Sequence, residues 1–311
     1  MIMNEVGIAG EVRCVVSSAD GVIKTDTGYQ KNLILNQGLD FFGGGKGGAI
    51  NASCAIGSGN STPVATQTKL DAFVAIANGT NTTSDYSYVD DGSGLYKMWE
   101  QKQYRFEGLS NVNISELGLV SQGGASDYYL TTRVLLKDAL GAPTTITVKS
   151  GEALDIYYKV HKVVDTNDKS YTINVLDGDG GTVPYNVVIR PTLVGGGKWA
   201  EITKIASAEN VVRLNTADIS TITSEPSYTS DIRTGQTTGY YITGSYKINV
   251  NNTIGLSDAN HTIRSAVVYM QLFHTQMRFG RASDDAPLTK TNKETLTIPL
   301  EFSWGRYEGE L

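Results

Sequence analysis

The chain has 311 residues, of which 40% are hydrophobic and 19% are charged, a composition typical of a folded protein rather than a disordered one. Its 26 Lys and Arg residues are outnumbered by 32 Asp and Glu residues, giving a formal net charge of -6. We expect no nucleic-acid partner, because neutralising the phosphates of a nucleic acid needs a stripe of basic residues, and this acidic sequence shows none. We also expect no membrane insertion, since the sequence has no long apolar run. Because the sequence shows no signal-peptide pattern, we expect synthesis in a cytoplasm.

The first segment has the pattern of a β-hairpin. GEVRCVVSS and GVIKTDTGY flank a turn at Ala19-Asp20-Gly21, where glycine accepts a positive φ at little cost. A short helix is predicted next, from Gln37 to Phe42 with Asn36 as its N-cap, although Gly38 weakens it. The run from Gly43 to Gly48 is typical of a flexible loop.

A Gly-Ser-Gly turn at 57 to 59 invites comparison with nucleotide-binding loops. A dinucleotide fingerprint needs a third glycine, a long helix and a parallel βαβ unit. The segment that follows, NGTNTTSDYSY, contains more turn residues instead. We therefore expect no phosphate binding here.

Period-two alternation predicts strands through the middle of the chain. Residues 96 to 107 (YKMWEQKQYRFE) alternate as a half-buried antiparallel strand requires. The clearest strand is ALDIYYKVHKV, in which Leu154, Ile156, Tyr158 and Val160 share one face, while Asp155, Tyr157, Lys159 and His161 share the other. Its register is well specified, because a slip of one residue would bring Asp155 and Lys159 into the core.

The second half shows similar strand and turn patterns. They predict a hairpin at YTINVLD and VPYNVVIRP, a polar region from 194 to about 239, and a last strand in ETLTIPLEFSWG. We predict a mainly β fold of two antiparallel β-sandwich or jelly-roll-like units with few short helices, divided into domains 1–165 and 166–311. Placing Ala142-Pro143 over Ala286-Pro287 aligns the last strands of both halves. A distant duplication is one hypothesis, and convergent hairpin patterning is the alternative.

Cysteine and histidine are sparse and lack metal-ligand spacing. Cys14 and Cys54 are expected to be reduced packing residues, with a disulfide between them as the alternative. His161, His261 and His274 are expected to pack or to face solvent rather than to bind metal.

Acidic clusters also favour structural roles. Asp177-Gly178-Asp179-Gly180-Gly181 resembles the start of a calcium loop, but Val188 stands where an EF-hand needs Glu, so a hairpin turn is expected. The pairs Asp90-Asp91 and Asp284-Asp285 lie in Gly/Ser-rich loops typical of solvated turns rather than of glycosidase carboxylates. No GxSxG or HExxH motif is present. We predict a non-enzymatic protein with no catalytic residue, no metal and no cofactor.

Tyrosine dominates the aromatic residues, with 17 Tyr against 7 Phe and 3 Trp. A tyrosine buries a large area while its hydroxyl stays hydrated, which suits subunit interfaces and sugar-binding surfaces. Half-exposed strand tyrosines are the alternative interpretation. Tyr157, on the polar face of its strand, and Tyr128 and Tyr129 are the candidate interface residues.

Four passages carry a family resemblance when they are taken in order. They are TGYQKNLILNQGLD (27 to 40), AIGSGNSTPVATQTKL (55 to 70), NISELGLV through ALDIYYKV (113 to 160) and LTIPLEFSWGR (296 to 306). Together they resemble a family of tailed-bacteriophage virion structural proteins of the β-rich tail or baseplate type. The resemblance implies a structural part that assembles through homo-oligomeric β-rich interfaces, with other copies of itself and neighbouring virion proteins as partners.

The resemblance also implies a location. It places the protein in the virion, with the tail favoured over the head, after synthesis in the host cytoplasm. A capsid decoration or head-fibre protein and a receptor-binding module for a host surface glycan are the alternatives. The Gly43 to Gly48 loop and the region 194 to 239 are expected to order only on docking.

Overall fold

The structure is a computed structural model that describes residues 2–44, 48–80, 89–90, 92–176, 180–192, 208–227, 229–232, 235–238, 240–270 and 274–311. These residues form several β-sheets and one short helix, α1 (Asn36–Phe42). The predicted mainly β class is confirmed.

The strands follow one another as the turn chemistry of the sequence indicates. Those of the first half are β1 (Ile2–Ser17), β2 (Ile23–Asp26), β3 (Gln30–Lys31), β4 (Leu33–Ile34), β5 (Ser53–Gly57), β6 (Phe73–Asn78), β7 (Val89–Asp90), β8 (Leu95–Phe106), β9 (Val112–Ile114), β10 (Glu116–Gly123), β11 (Tyr128–Leu130), β12 (Thr132–Leu135), β13 (Ile146–Val148) and β14 (Ala153–Asp165). Those of the second half are β15 (Lys169–Leu176), β16 (Thr182–Thr192), β17 (Ala208–Asn215), β18 (Ser230–Ile232), β19 (Gly235–Thr238), β20 (Lys247–Ile254), β21 (Thr262–Ile263), β22 (Ser265–Met270), β23 (His274–Arg281), β24 (Leu288–Thr289) and β25 (Leu296–Arg306).

The largest sheet has the order β19-β20-β25-β1-β14-β8-β7, and β2 and β3 also pair with β1. β1 is antiparallel to β14 but parallel to β25. The expectation of purely antiparallel sheets is therefore wrong for this sheet, which is mixed. Hairpin signals could not reveal the parallel pair, because its strands come from opposite ends of the chain and no short turn joins them.

This sheet draws strands from both predicted domain ranges. β8 and β14 come from 1–165, whereas β20 and β25 come from 166–311. The division at 165/166 stays a prediction about domains, and the large sheet crosses it. β14 and β25, the strands aligned by the duplication hypothesis, flank β1 in this one sheet rather than lying in two separate sheets.

The apolar faces predicted for the two closing strands are confirmed by their burial. Leu154, Ile156, Tyr158 and Val160 of β14 and Ile298, Leu300, Phe302 and Trp304 of β25 are all buried in one hydrophobic cluster. Cys14 and Cys54 lie in the same cluster as free, buried thiols, as predicted for packing residues. Burial raises the pKa of Cys14 to about 12, so this thiol is protonated and unreactive at neutral pH.

Two further sheets contribute to this core. One has the order β4-β12-β10-β5-β6, with β11 beside β10, and the other has the order β15-β16-β23-β22-β17-β18. β13 pairs with β9, and β21 pairs with β24, in two small ribbons. The predicted hairpin of the second half is confirmed by the pairing of β15 with β16.

The helix α1 begins one residue earlier than predicted. Leu35, with an extended backbone, occupies the N-cap position and makes no side-chain cap hydrogen bond, so the prediction of Asn36 as N-cap is wrong. Asn36 instead accepts a hydrogen bond from Arg306. Gly38 is required by packing, because a Cβ there would lie 2.0 Å from the carbonyl oxygen of Thr131.

Two loop predictions fall partly outside the described residues. In the Gly43 to Gly48 loop, residues 45–47 lie outside them, and in the region 194 to 239 the described part contains β17, β18 and β19. That both segments order on docking stays a prediction.

Candidate functional site

The face of the large sheet that points away from the core carries Tyr157. Directly opposite residues on paired strands lie on the same face of a sheet, and Tyr157 of β14 is opposite Arg13 of β1 and Gln103 of β8. Asp26 of β2 and Tyr29 of the following loop border the same area through contacts with this face. We call these five residues, Arg13, Asp26, Tyr29, Gln103 and Tyr157, the Tyr157 surface.

A bidentate ion pair forms one edge of the Tyr157 surface. Arg13 Nε donates to Asp26 Oδ1 at 2.8 Å, and Arg13 Nη2 donates to Asp26 Oδ2 at 2.5 Å. Arg13 Cζ lies 5.9 Å from the centroid of the Tyr157 ring. The hydrogen bond from Arg13 lowers the pKa of Asp26 to about 2, so the pair is fully charged at neutral pH.

A second polar cluster follows along the strand. Arg105 Nη1 donates to Asp155 Oδ2 at 2.9 Å, and Gln103 Nε2 donates to Asp155 Oδ1 at 2.8 Å. Asp155 is almost fully buried, while Arg105 remains half exposed. The carboxylate therefore fixes the position of the Gln103 amide at the border of the Tyr157 ring.

Tyr29 closes the opposite end of the Tyr157 surface. Its hydroxyl donates to Gln101 Oε1 of β8 at 2.5 Å, so the side chain reaches across β14. Lys159 Nζ of β14 lies 4.1 Å from the Tyr29 ring centroid and 4.6 Å from that of Trp99. The ammonium group is thus held against two aromatic rings by cation–π attraction.

His161 follows Lys159 on the predicted polar face of β14, and it is paired rather than exposed. His161 Nε2 lies 3.0 Å from Glu11 Oε2, and this contact lowers the pKa of Glu11. Both His161 and Asp155 are buried, although the alternation of β14 had placed them on its polar face. β14 is a central strand, so long side chains of β1 and β8 cover the shorter ones between them.

The three candidate interface tyrosines are not brought together. Tyr128 is buried, and its hydroxyl accepts a hydrogen bond from the Leu70 backbone N–H at 3.0 Å. Tyr129 is half-buried and donates to the Gln37 carbonyl at 2.9 Å. The hydroxyl and ring of Tyr128 hold an internal loop, and the assignment of the three tyrosines to an interface stays a prediction. Tyr157 alone lies on the open sheet face.

That loop, 57–72, is held by a buried ion pair that the sequence analysis missed. Glu116 of β10 and Arg133 of β12 are both fully buried, with Arg133 Nη2 2.7 Å from Glu116 Oε2. Arg133 also donates to Asp71 Oδ2 and to Gln67 Oε1, both at 2.8 Å. We call Gln67, Asp71, Glu116 and Arg133 the Arg133 clasp.

The Gly-Ser-Gly turn at 57 to 59 forms part of the clasp rather than a phosphate loop. Glu116 Oε1 accepts hydrogen bonds from the backbone N–H groups of Gly59 at 3.0 Å and Ala72 at 2.8 Å. A Cβ on Gly59 would lie only 2.4 Å from that oxygen. Gly59 was the feature of the sequence that could have indicated this contact, because a glycine often marks a close approach of the backbone to another group.

Polar contacts likewise tie the last strand to the first passage of the resemblance. Trp304 Nε1 donates to the Leu39 carbonyl at 2.7 Å, and Arg306 Nε donates to the Ile34 carbonyl at 2.5 Å. Asn32 donates to the hydroxyl of Tyr158, whose own proton is donated to Thr132 Oγ1 at 2.7 Å. These side chains connect β25, α1, β12 and β14.

The other histidines have structural neighbours. The His274 ring lies 4.3 Å from that of Tyr269, and Tyr269 donates to Glu225 Oε2 at 2.5 Å. Burial acts to raise the pKa of Glu225, but the nearby His274 and the hydrogen bond from Tyr269 outweigh burial and lower this pKa. His261 Nδ1 lies 2.8 Å from the Thr262 carbonyl.

The predicted acidic turns are only partly described. Asp177 to Asp179 and Asp91 lie outside the described residues. Asp285 pairs with Arg278 at 2.5 Å, and Asp284 Oδ1 accepts from the Ala286 N–H at 3.1 Å, as expected for a turn.

Metal-ligating residue types are scattered through the described part of the chain. Within it, no three His, Cys, Asp or Glu side chains converge in a way that would hold a metal ion. Across the same ranges, no helix has the length and apolar character of a membrane span.

Comparison with known proteins gives no relative. No protein-family model, no curated protein and no solved structure matches the chain.

Proposed function

We propose that the chain is a non-enzymatic structural component of a phage virion, placed in the tail at the baseplate, the tail tip or a fibre attachment point. The observation that carries the proposal is the internal linkage of the four passages that resemble virion proteins. Polar side chains of one passage bind backbone or side-chain groups of another, so the four passages build one framework.

The linkage is continuous from passage to passage. The Arg133 clasp joins 55–70 to 113–160, since Glu116 and Arg133 bind Gly59 and Gln67. Trp304 and Arg306 join 296–306 to 27–40. The charged and aromatic side chains of these contacts bind backbone and side-chain groups inside the fold. A rigid framework of this kind suits a subunit that must keep its shape in an assembly.

An edge strand supports assembly through β-rich contacts. β15 ends its sheet among the described strands, and its residues from Ser170 to Leu176 carry no charge. Edge strands that lack charged side chains offer unpaired backbone groups to another chain. Leu176, at the end of β15, is 77% exposed, an apolar group suited to burial between copies.

The location is tested by immunogold electron microscopy of intact virions with antibody against this chain. Gold at the distal tail is the expected result. Gold over the head would overturn the tail placement and favour a capsid decoration or head-fibre protein, which would use the same β-rich contacts. Virions without gold, in a lysate that contains the chain, would overturn the virion proposal.

Assembly is tested separately by analytical ultracentrifugation of the purified chain. We expect a closed homo-oligomer that Thr172→Pro in β15 weakens, because proline removes a backbone donor from the edge strand. Thr147→Pro, in the exposed part of the short ribbon strand β13, is the matched control and should leave association unchanged. A wild-type chain that stays monomeric at high concentration would contradict homo-oligomeric assembly.

A second function, binding of a host surface glycan, is favoured by one observation. The Tyr157 surface combines a partly buried aromatic ring with ordered hydrogen-bonding groups on the sheet face that points away from the core. Tail subunits and head subunits can both carry such a module, so this function does not depend on where the chain lies.

A further inference from the structure

We infer that the Tyr157 surface is a binding site for an uncharged saccharide of one or two sugar rings, with one ring stacked on Tyr157. The inference deepens the glycan-binding function proposed above by naming its site and the class of its ligand.

The first argument is the rigidity of the aromatic group. Tyr157 lies near the middle of β14, which pairs along its whole length with β1 and β8. A ring on a central strand is already ordered, so a ligand that stacks on it loses little further conformational entropy in the protein. The apolar face of a pyranose, made of C–H groups, can then cover apolar ring area that would otherwise face water.

The second argument is the polar border of the ring. Arg13 and Asp26 are about one-third exposed, at 35% and 34% of their side chains, although they bind each other. Both groups have several donor or acceptor positions, and the Gln103 amide beside them has both kinds. Planar groups with several hydrogen-bonding positions suit sugar hydroxyls, each of which both donates and accepts.

The third argument is charge, which selects an uncharged ligand. Asp26 is neutralised by Arg13, and Asp155 by Arg105, at 2.5 to 2.9 Å. Lys159 is held between two rings, as described above. An anionic or cationic ligand would have to break one of these pairs to gain a partner, whereas neutral hydroxyls can add to them.

The fourth argument is size. Along β14 the open stretch extends from Lys159, which Tyr29 covers, to Asp155, which Gln103 and Arg105 cover. These two covered residues are four residue steps apart, about 13 Å at ~3.3 Å per residue, and Tyr157 is the one residue of this face of β14 between them. This length accommodates one or two pyranose rings and stops a longer chain from lying flat along the strand.

The experiment is saturation-transfer NMR on the full chain with a panel of saccharides, followed by titration calorimetry of those that bind. The neutral probes are maltose, cellobiose, lactose and di-N-acetylchitobiose, each of two rings. The charged probes are sialyllactose and trigalacturonic acid. We expect at least one neutral probe to bind with Kd on the order of 1 mM or below, with saturation transfer to its ring protons.

Variants locate the binding. Tyr157→Ala should weaken the affinity at least tenfold, while Tyr157→Phe, which keeps the ring, should change it less than threefold. Tyr171→Ala, which removes a half-buried tyrosine from β15, is the matched control and should bind like wild type. Gln103→Ala should weaken binding several-fold, and it keeps the test decisive if Tyr157→Ala does not fold.

Other outcomes overturn the inference. They are a panel in which no neutral probe binds, a panel in which only the charged probes bind, and unchanged affinity in both Tyr157→Ala and Gln103→Ala. None of these results bears on the gold labelling of virions, so the binding site can fail while the structural role stands, and the reverse also holds.

Discussion

The Arg133 clasp and the Tyr157 surface are built from the same kinds of residues in opposite environments. Each contains an arginine that binds a carboxylate, at 2.7 Å for Arg133 with Glu116 and at 2.5 Å for Arg13 with Asp26. The clasp pair is fully buried, whereas the surface pair is about one-third exposed. Similar geometry therefore has different consequences: the buried pair holds the fold, and the exposed pair remains accessible to a ligand.

The largest expected effect is that of breaking the buried pair. Arg133→Met leaves Glu116 as a charge without its cation in the core, which costs about 3–5 kcal/mol of the free energy of unfolding. Urea denaturation followed by circular dichroism measures this loss. A loss under about 1 kcal/mol would contradict the clasp as an anchor of the loop 57–72. The double variant Arg133→Met/Glu116→Leu, which removes both charges, should recover part of the loss.

The second effect tests the close approach of the backbone to the clasp. In Gly59→Ala the added Cβ would lie 2.3 Å from Asp71 Cβ and 2.4 Å from Glu116 Oε1. The neighbours must shift, at about 1–3 kcal/mol as for other overpacked sites. Thermal denaturation should show a lower Tm. Gly124→Ala, where a Cβ meets no atom within 4 Å, is the control and should be close to neutral. Equal Tm values for the two variants would contradict this packing.

The clasp also shows where sequence reasoning succeeds and where it stops. Period-two patterns located β14 and β25 with the correct buried faces, because burial on one side of a strand is written into every second residue. The parallel pairing of β1 with β25 and the contact of Glu116 with Gly59 depend on segments distant in sequence, which no local pattern specifies. Sequence reasoning identified the Gly-Ser-Gly turn, but it missed the buried carboxylate of Glu116 to which this turn donates a hydrogen bond.

The candidate site was predictable to a similar extent. Tyr157 was identified from its position on the polar face, and the same alternation in β8 indicates Trp99, Gln101 and Gln103 on the corresponding side. Tyr29 lies in a loop without periodicity, so its reach across β14 to Gln101 could not be foreseen. Burial of Tyr128 was missed because its partner, the Leu70 N–H, belongs to a loop.

A third effect concerns pH and the surface pair. Arg13 lowers the pKa of Asp26 to about 2, below its ordinary value of 3.8. A lowered folded-state pKa contributes stability above the unfolded value, and that contribution is lost as the pH falls through the folded value. Wild type should therefore be slightly more stable than Asp26→Asn at pH 5, and the difference should vanish near pH 2.

Urea denaturation of both proteins across this range measures the difference. Asp258→Asn is the control, because its side chain is solvent-exposed and forms no ion pair within the described part of the chain. A wild-type advantage that persists unchanged down to pH 2 would show that Asp26 is not the group that titrates.

The smallest effect completes the comparison of the two arginines. Arg13→Met removes the cation of a pair that water already solvates, and such pairs contribute about 0–1 kcal/mol. Its partner Asp26 can turn to solvent, whereas Glu116 in the clasp cannot, because it is fully buried. Under identical conditions, we expect the loss in free energy of unfolding caused by Arg13→Met to be at most one third of the loss caused by Arg133→Met. Equal losses would mean that burial does not distinguish the two pairs, and the Tyr157 surface would then be part of the framework rather than a surface available to a ligand.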